Sequence, residues 1–219
     1  MPSCKNYFGK VFAHLAAALA ISAASAETSN IGSTIYGNAS VLIQFLGNLA
    51  IMLGLMFGVF LTRPGGVPKY AFFIAFAFWM GQILKPYVDK LDAKGALTRT
   101  LILTTGVFVG MMALGFYDSM NLLGFGPYLT AGLLGLIVAQ LLLLSLGTPE
   151  EKRKGIQILN VVGVALFAVF TAYDVQVLRA GAKSCRRMQK NLKMDPDYPA
   201  ESLGLYLDFV NLFQRLGDD

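Results

Sequence analysis

The sequence is poor in charge, in cysteine and in histidine. Only 14% of its 219 residues are charged while 55% are apolar, a balance far from that of a water-soluble domain of this length. Two cysteines, Cys4 and Cys185, are too few for a disulfide framework. Neither has His or Cys neighbours at metal-ligand spacing, so free thiols are expected, on the reduced side of the membrane in the topology below. The single histidine, His14, reads as a packed residue on a helix face. A formal net charge of +5 would fit a nucleic-acid partner. The basic residues, however, lie in loops between apolar runs, where they orient helices in a bilayer, and no nucleic-acid partner is expected.

What the sequence has is apolar length. Charge-poor segments occur near residues 7–26, 41–61, 70–88, 97–117, 121–146, 155–178 and 199–215, each close to the ~20 residues that cross a hydrocarbon core. The expectation is an all-α, polytopic seven-transmembrane bundle forming a single membrane domain over residues 1–219. The seventh segment contains Glu201, Asp208, Asn211, Gln214 and Arg215. It is too polar to face lipid all round, so it should be the helix most enclosed by protein. With the N-terminus inside, ten Lys and Arg fall on the cytoplasmic side (Lys5, Lys10, Arg63, Lys69, Arg179, Lys183, Arg186, Arg187, Lys190, Lys193). The other eight fall opposite, and the bias favours that orientation. Lys5 and Lys10 before an apolar stretch ending in Ala24-Ser25-Ala26 also have the form of a cleavable leader; retention as a true helix is the expectation. Gly106 with Gly110, and Gly132 with Gly135, are read as helix-packing faces. Gly124, Gly126 and Pro127 are read as the turn into the fifth span.

A carboxylate at the bilayer centre costs about 2.5–3.5 kcal/mol on insertion scales. Asp174 and Asp208, within the sixth and seventh spans, are therefore the residues most expected to carry function. Helical spacing puts Asn160, Gly163, Phe167, Thr171 and Asp174 on one face of the sixth helix, and Glu201, Gly204, Asp208, Asn211 and Arg215 on one face of the seventh. Burying those faces together would hide both carboxyls from lipid. At hydrogen-bonding distance the two cannot both ionise cheaply, so they would share a proton. Protonated, the pair ties the helices together; deprotonated, it repels or recruits a hard cation such as Ca²⁺. In the plainer alternative, Asp174 reaches interfacial water and Asp208 merely satisfies a neighbour such as Arg215. Asn160, Thr171, Glu201, Asn211 and Arg215, with Gln44 and Asn48 at i, i+4 on the second helix, are the candidate pathway or supporting residues. No catalytic residue is assigned.

At these residues the chain resembles the transmembrane Bax inhibitor motif family. The resemblance rests on Ala172-Tyr173-Asp174-Val175-Gln176-Val177-Leu178, and on Asp197-Tyr198-Pro199 leading into the stretch from Leu203 to Phe213 around Tyr206-Leu207-Asp208. Trp79-Met80-Gly81-Gln82 and Gly132-Leu133-Leu134-Gly135-Leu136 are similar to the third and fifth helices of the family. The resemblance implies seven helices with a central, enclosed one, and a Ca²⁺ leak gated by protonation of the Asp174–Asp208 pair. It implies no cofactor beyond Ca²⁺ as permeant or bound ion. It further implies protection from cell death, partner membrane proteins of Ca²⁺ handling or cell death, and an endoplasmic-reticulum or related membrane in eukaryotes or the plasma membrane in bacteria. Some members have an arginine in the second helix that pairs with the sixth-helix aspartate; residues 41–61 contain no basic residue. The sequence stops at Gly217-Asp218-Asp219 without the lysine-rich tail of some members, and roles of that tail are not carried over.

Two other function classes compete. A non-conducting regulator acting through partner membrane proteins would keep the same fold. An intramembrane aspartyl protease would use a carboxyl dyad sharing one proton, and Tyr173-Asp174 resembles half of that family's signature. The glycine-x-glycine that should precede the second aspartate is replaced by Leu205-Tyr206-Leu207, and no Pro-Ala-Leu follows.

Overall fold

The computed structural model describes residues 4–28, 31, 35, 37, 39–117, 121–192 and 195–217, without the side chains of 41, 42 and 186–192. Of the basic run Arg179, Lys183, Arg186, Arg187 and Lys190 that follows the sixth expected span, the side chains of Arg186, Arg187 and Lys190 lie outside these described residues, as do Lys193 and Asp218-Asp219. Among the described residues the fold is all-helical. Its elements are α1 (Tyr7–Ala26), α2 (Val41–Leu61), α3 (Val67–Ala93), α4 (Leu97–Gly115), a 3₁₀ turn (Leu123–Phe125), α5 (Gly126–Leu146), α6 (Pro149–Leu192) and α7 (Tyr198–Leu216). Six of these, α1 to α6, are long and apolar enough to cross a membrane. Large apolar side chains stand exposed along them, among them Leu46, Phe57 and Phe60 of α2 and Leu134, Val138 and Leu142 of α5, as lipid-facing surfaces require. On α7, which carries Glu201, Asp208 and Arg215, no residue is exposed.

Two helices exceed the expected spans. α3 continues through Pro86 to Ala93. α6 starts at Pro149 because Thr148 and Glu151 make a capping box there: the Thr148 N–H and O–H both donate to the Glu151 carboxylate, at 2.8 and 2.7 Å, and proline suits the first helical position. At its other end α6 runs on to Leu192, so the basic run is helical.

The chain divides into two compact units, residues 1–93 with 182–206, and residues 94–181 with 207–219. In the first, α1 and α2 pack on α3. The α1–α3 approach depends on Gly81, where an added Cβ would lie 2.3 Å from Ser22 O and 2.7 Å from Ser25 Cβ. A buried polar seam accompanies it. Ser22 Oγ has Ala77 O at 2.8 Å and Ala18 O at 2.9 Å as acceptors for its one proton. The Tyr206 hydroxyl, 2.6 Å away, is therefore the donor to Ser22. Ser25 donates to Phe78 O at 2.7 Å, and the Gln82 amide donates to Ser25 O and Thr28 Oγ1, both at 2.8 Å. Ser25 and Ala26, the end of the leader-like run, are thus buried in the unit. His14 donates from Nδ1 to Lys10 O at 2.7 Å and stacks beside Tyr70 and Tyr198, in keeping with a packed residue.

The free-thiol expectation is corrected here: Cys4 and Cys185 form a disulfide, with Cα atoms 6.0 Å apart. The extension of α6 beyond its expected end carries Cys185 to the start of the chain, and a separation of 181 positions left no local signal.

In the second unit the Phe108 and Phe209 rings meet edge to face at 5.3 Å. Gly115 packs so closely on α6 that a Cβ would stand 2.5 Å from Ala172 O, and Gly126 lies against the Tyr173 hydroxyl. Pro127 sits in the first turn of α5, after the 3₁₀ turn, as the turn reading anticipated. The glycine pairs read as packing faces fare worse. Gly132 meets Leu166, but Gly106, Gly110 and Gly135 face open space. Spacing locates a small-residue face without saying whether a neighbour uses it; Gly81 and Gly115, in no such glycine pair, each approach a neighbouring helix backbone closely.

Proteolysis of the unreduced protein should release Cys4 and Cys185 in one linked pair of peptides that separates on reduction, read by mass spectrometry. Two independently alkylated peptides would show free thiols instead. N-terminal sequencing of the same material should begin upstream of Glu27.

Candidate functional site

Asp208 and Asp174 both lie in the second unit. Asp208 projects from the face of α7 that its helical register sets, and is 4% exposed. Two α6 groups act on its carboxyl: the Thr171 hydroxyl by a hydrogen bond and the Asp174 carboxyl by its charge. Asp208 Oδ2 is buried with no hydrogen-bond partner among the described residues. Asp174 is half-buried. The structure thus brings together Asp174, Thr171 and Asp208 on one α6–α7 seam.

Thr171 has one proton, and Phe167 O lies 2.9 Å from its Oγ1. A protonated Asp208 can donate to Thr171 Oγ1 while Thr171 donates to Phe167 O, and both bonds are kept. An ionised Asp208 can only accept, so it must draw the Thr171 proton away from Phe167 O. Loss of one proton therefore rearranges two hydrogen bonds and leaves like charges facing each other. Two carboxylates offer fewer oxygens than the six to eight that Ca²⁺ takes. Among the described residues no group of three or more His, Cys, Asp or Glu could hold a metal.

The other expected site residues divide. Asn160 is buried on the same α6 face. Asn211 turns back on its own helix, its Nδ2 donating to Leu207 O at 2.8 Å. Arg215 Nη1 donates to Leu159 O at 3.1 Å and its guanidinium stands 5.4 Å from the Phe167 ring centroid. The ring that interrupts the polar stripe of α6 is thus a platform for this cation. Glu201 belongs to the first unit, where it accepts from the Tyr7 hydroxyl. Gln44 and Asn48 belong there as well, and Gln44 Nε2 donates to Ala39 O at 2.9 Å, a local contact. The polar faces of both helices are therefore used piecewise.

Sequence reasoning missed Lys69, which it placed among loop cations. Lys69 is fully buried, donates to Val59 O at 2.6 Å and forms an ion pair with Asp197. Asp197 Oδ1 also accepts from Ala200 N–H at 3.2 Å, capping α7. A signal was present: a lysine in the first turn of a helix is opposed by the helix dipole unless an anion answers it, and Asp197 is the acidic residue of the Asp-Tyr-Pro run.

A family model described as Inhibitor of apoptosis-promoting Bax1 matches residues 4–217. A protein of Borreliella burgdorferi is 31% identical over 225 residues, covering 97% of this chain and 90% of the relative. One of Rickettsia prowazekii is 25% identical over 228 residues, covering 97% and 87%. The inner membrane protein YbhL of Escherichia coli is 33% identical over 122 residues, 55% of this chain and 50% of its own length. Together with the apolar helices, these similarities make the chain an integral membrane protein.

Breaking a buried ion pair by removing one partner leaves an uncompensated charge. Lys69→Met should destabilise the detergent-purified protein by about 3 kcal/mol, read as a lowered Tm. Lys94→Met, at an exposed lysine, should stay within about 0.5 kcal/mol of wild type.

Proposed function

The chain belongs to the Bax inhibitor-like family of membrane proteins, and from that membership we propose that it is a pH-sensitive Ca²⁺ leak channel gated by Asp174 and Asp208. The observation that carries the proposal is a buried Asp208 carboxyl whose neighbours are a like charge, Asp174, and the hydroxyl of Thr171. A structural role alone would be served better by an asparagine or by an opposite charge. In the protonated state the shared proton holds α6 to α7 and the path is closed. Deprotonation sets two negative charges against each other, separates the helices and admits a divalent cation to the seam.

In this reading α7 is a seventh spanning helix, enclosed by the others, and residues 1–219 act as one membrane domain because α6 and α7 each run through both compact units. The bacterial relatives, one of them named an inner membrane protein, support a bacterial plasma membrane as its location. A cytoprotective role would follow from limiting a stored Ca²⁺ load, and the description of the family model supports that reading.

Reconstituted in liposomes with a Ca²⁺-sensitive dye, the wild type should leak Ca²⁺ at a rate that rises with pH, by up to about tenfold per pH unit when a single proton holds the gate. Asp174→Asn and Asp208→Asn should each abolish that pH dependence. No flux at any pH from well-folded protein would remove the channel reading and leave a non-conducting regulator.

A further inference from the structure

α6 provides a seat for Arg215. The guanidinium lies directly on Gly163, where an added Cβ would come within 2.3 Å of Arg215 Nε and 2.5 Å of Cζ. Nη1 donates to Leu159 O at 3.1 Å, and the cation stands over the Phe167 ring. The residue is 8% exposed. Absence of a side chain at 163, an aromatic face at 167 and a backbone carbonyl at 159 all serve to hold one positive charge in a buried position.

Along this face of α6 the charged groups follow an order. Asp174 is half-buried, Asp208 meets the face at Thr171 and is buried, and the Arg215 charge is fixed at Gly163. Eight residues separate Gly163 from Thr171, about 12 Å of helix. A cation that reached the aspartates and continued toward Gly163 would approach a charge of its own sign in a medium of low dielectric. At an effective dielectric constant near 20, a unit charge about 12 Å away changes the local concentration of a monovalent cation roughly tenfold, and of a divalent one by roughly the square of that.

We propose that Arg215 is a specificity-determining residue: a fixed cation on the α6–α7 seam beyond Asp208 that raises a barrier to cations passing it, higher for divalent than for monovalent ions. This rests on the leak reading of that pair. It assigns Gly163 and Phe167 as positioning residues for the Arg215 charge.

The test compares fluxes of K⁺ and Ca²⁺ through the reconstituted wild type, Arg215→Gln, Arg215→Lys and Gly163→Ala, each checked for monodispersity and helix content. Arg215→Gln should raise K⁺ flux about tenfold and Ca²⁺ flux far more, toward a hundredfold. Arg215→Lys, which keeps the charge, should stay near wild type. Gly163→Ala, which displaces the guanidinium, should shift both fluxes in the direction of Arg215→Gln. A structural role would instead change the two ions alike and make Lys as damaging as Gln, and that pattern overturns the assignment. Should Arg215→Gln fail to fold, Gly163→Ala decides: a larger gain for Ca²⁺ than for K⁺ supports the barrier, and unchanged fluxes overturn it. A wild type that leaks with all three variants unchanged defeats this inference alone, whereas a wild type without flux defeats the leak reading and this inference together.

Discussion

A buried polar group has no water to turn to, and since no residue of α7 is exposed its polar atoms depend on answering groups within the chain. The structure meets that need for most of these groups, Asp208 Oδ2 excepted. Glu201 accepts from Tyr7, Tyr206 donates to Ser22, Asn211 bonds its own helix at Leu207, and Arg215 is seated on Leu159 and Phe167. Close approaches at Gly81 and Gly115 are part of the same solution, since backbone contact brings the answering groups within range.

Buried charge is handled in two ways. Lys69 and Asp197 are opposite in sign, and each satisfies the other at a helix start where the backbone also needs a cap. Asp208 has instead a like-charged neighbour and one carboxyl oxygen without a bond among the described residues. The first arrangement is complete as it stands. The second leaves a buried carboxyl oxygen uncovered beside another carboxyl, and that difference sets the Asp208 environment apart from the Lys69–Asp197 pair.

How much of this was legible in the sequence follows from the range of each signal. Apolar runs are local, and the helices fall where the runs do, with ends moved by caps such as Thr148–Glu151. The cost of an intramembrane carboxylate is also local, so Asp174 and Asp208 stood out before any geometry was known. Register showed that Thr171 and Arg215 shared their faces. What register cannot show is which neighbour a face meets. That hid the Cys4–Cys185 bond and the Lys69–Asp197 pair, it gave Gly106 and Gly110 a contact they do not make, and it left the Gly163 seat for Arg215 unseen.

The disulfide joins residue 4 to residue 185, so the backbone from just before α1 to near the end of α6 is a closed covalent ring, with α7 on the segment that follows it. Synthesis alone does not close that ring, since the two thiols must first be oxidised. All six helices long and apolar enough to cross a membrane begin inside it. Among the described helices α7 alone begins outside, tethered to the ring by one end.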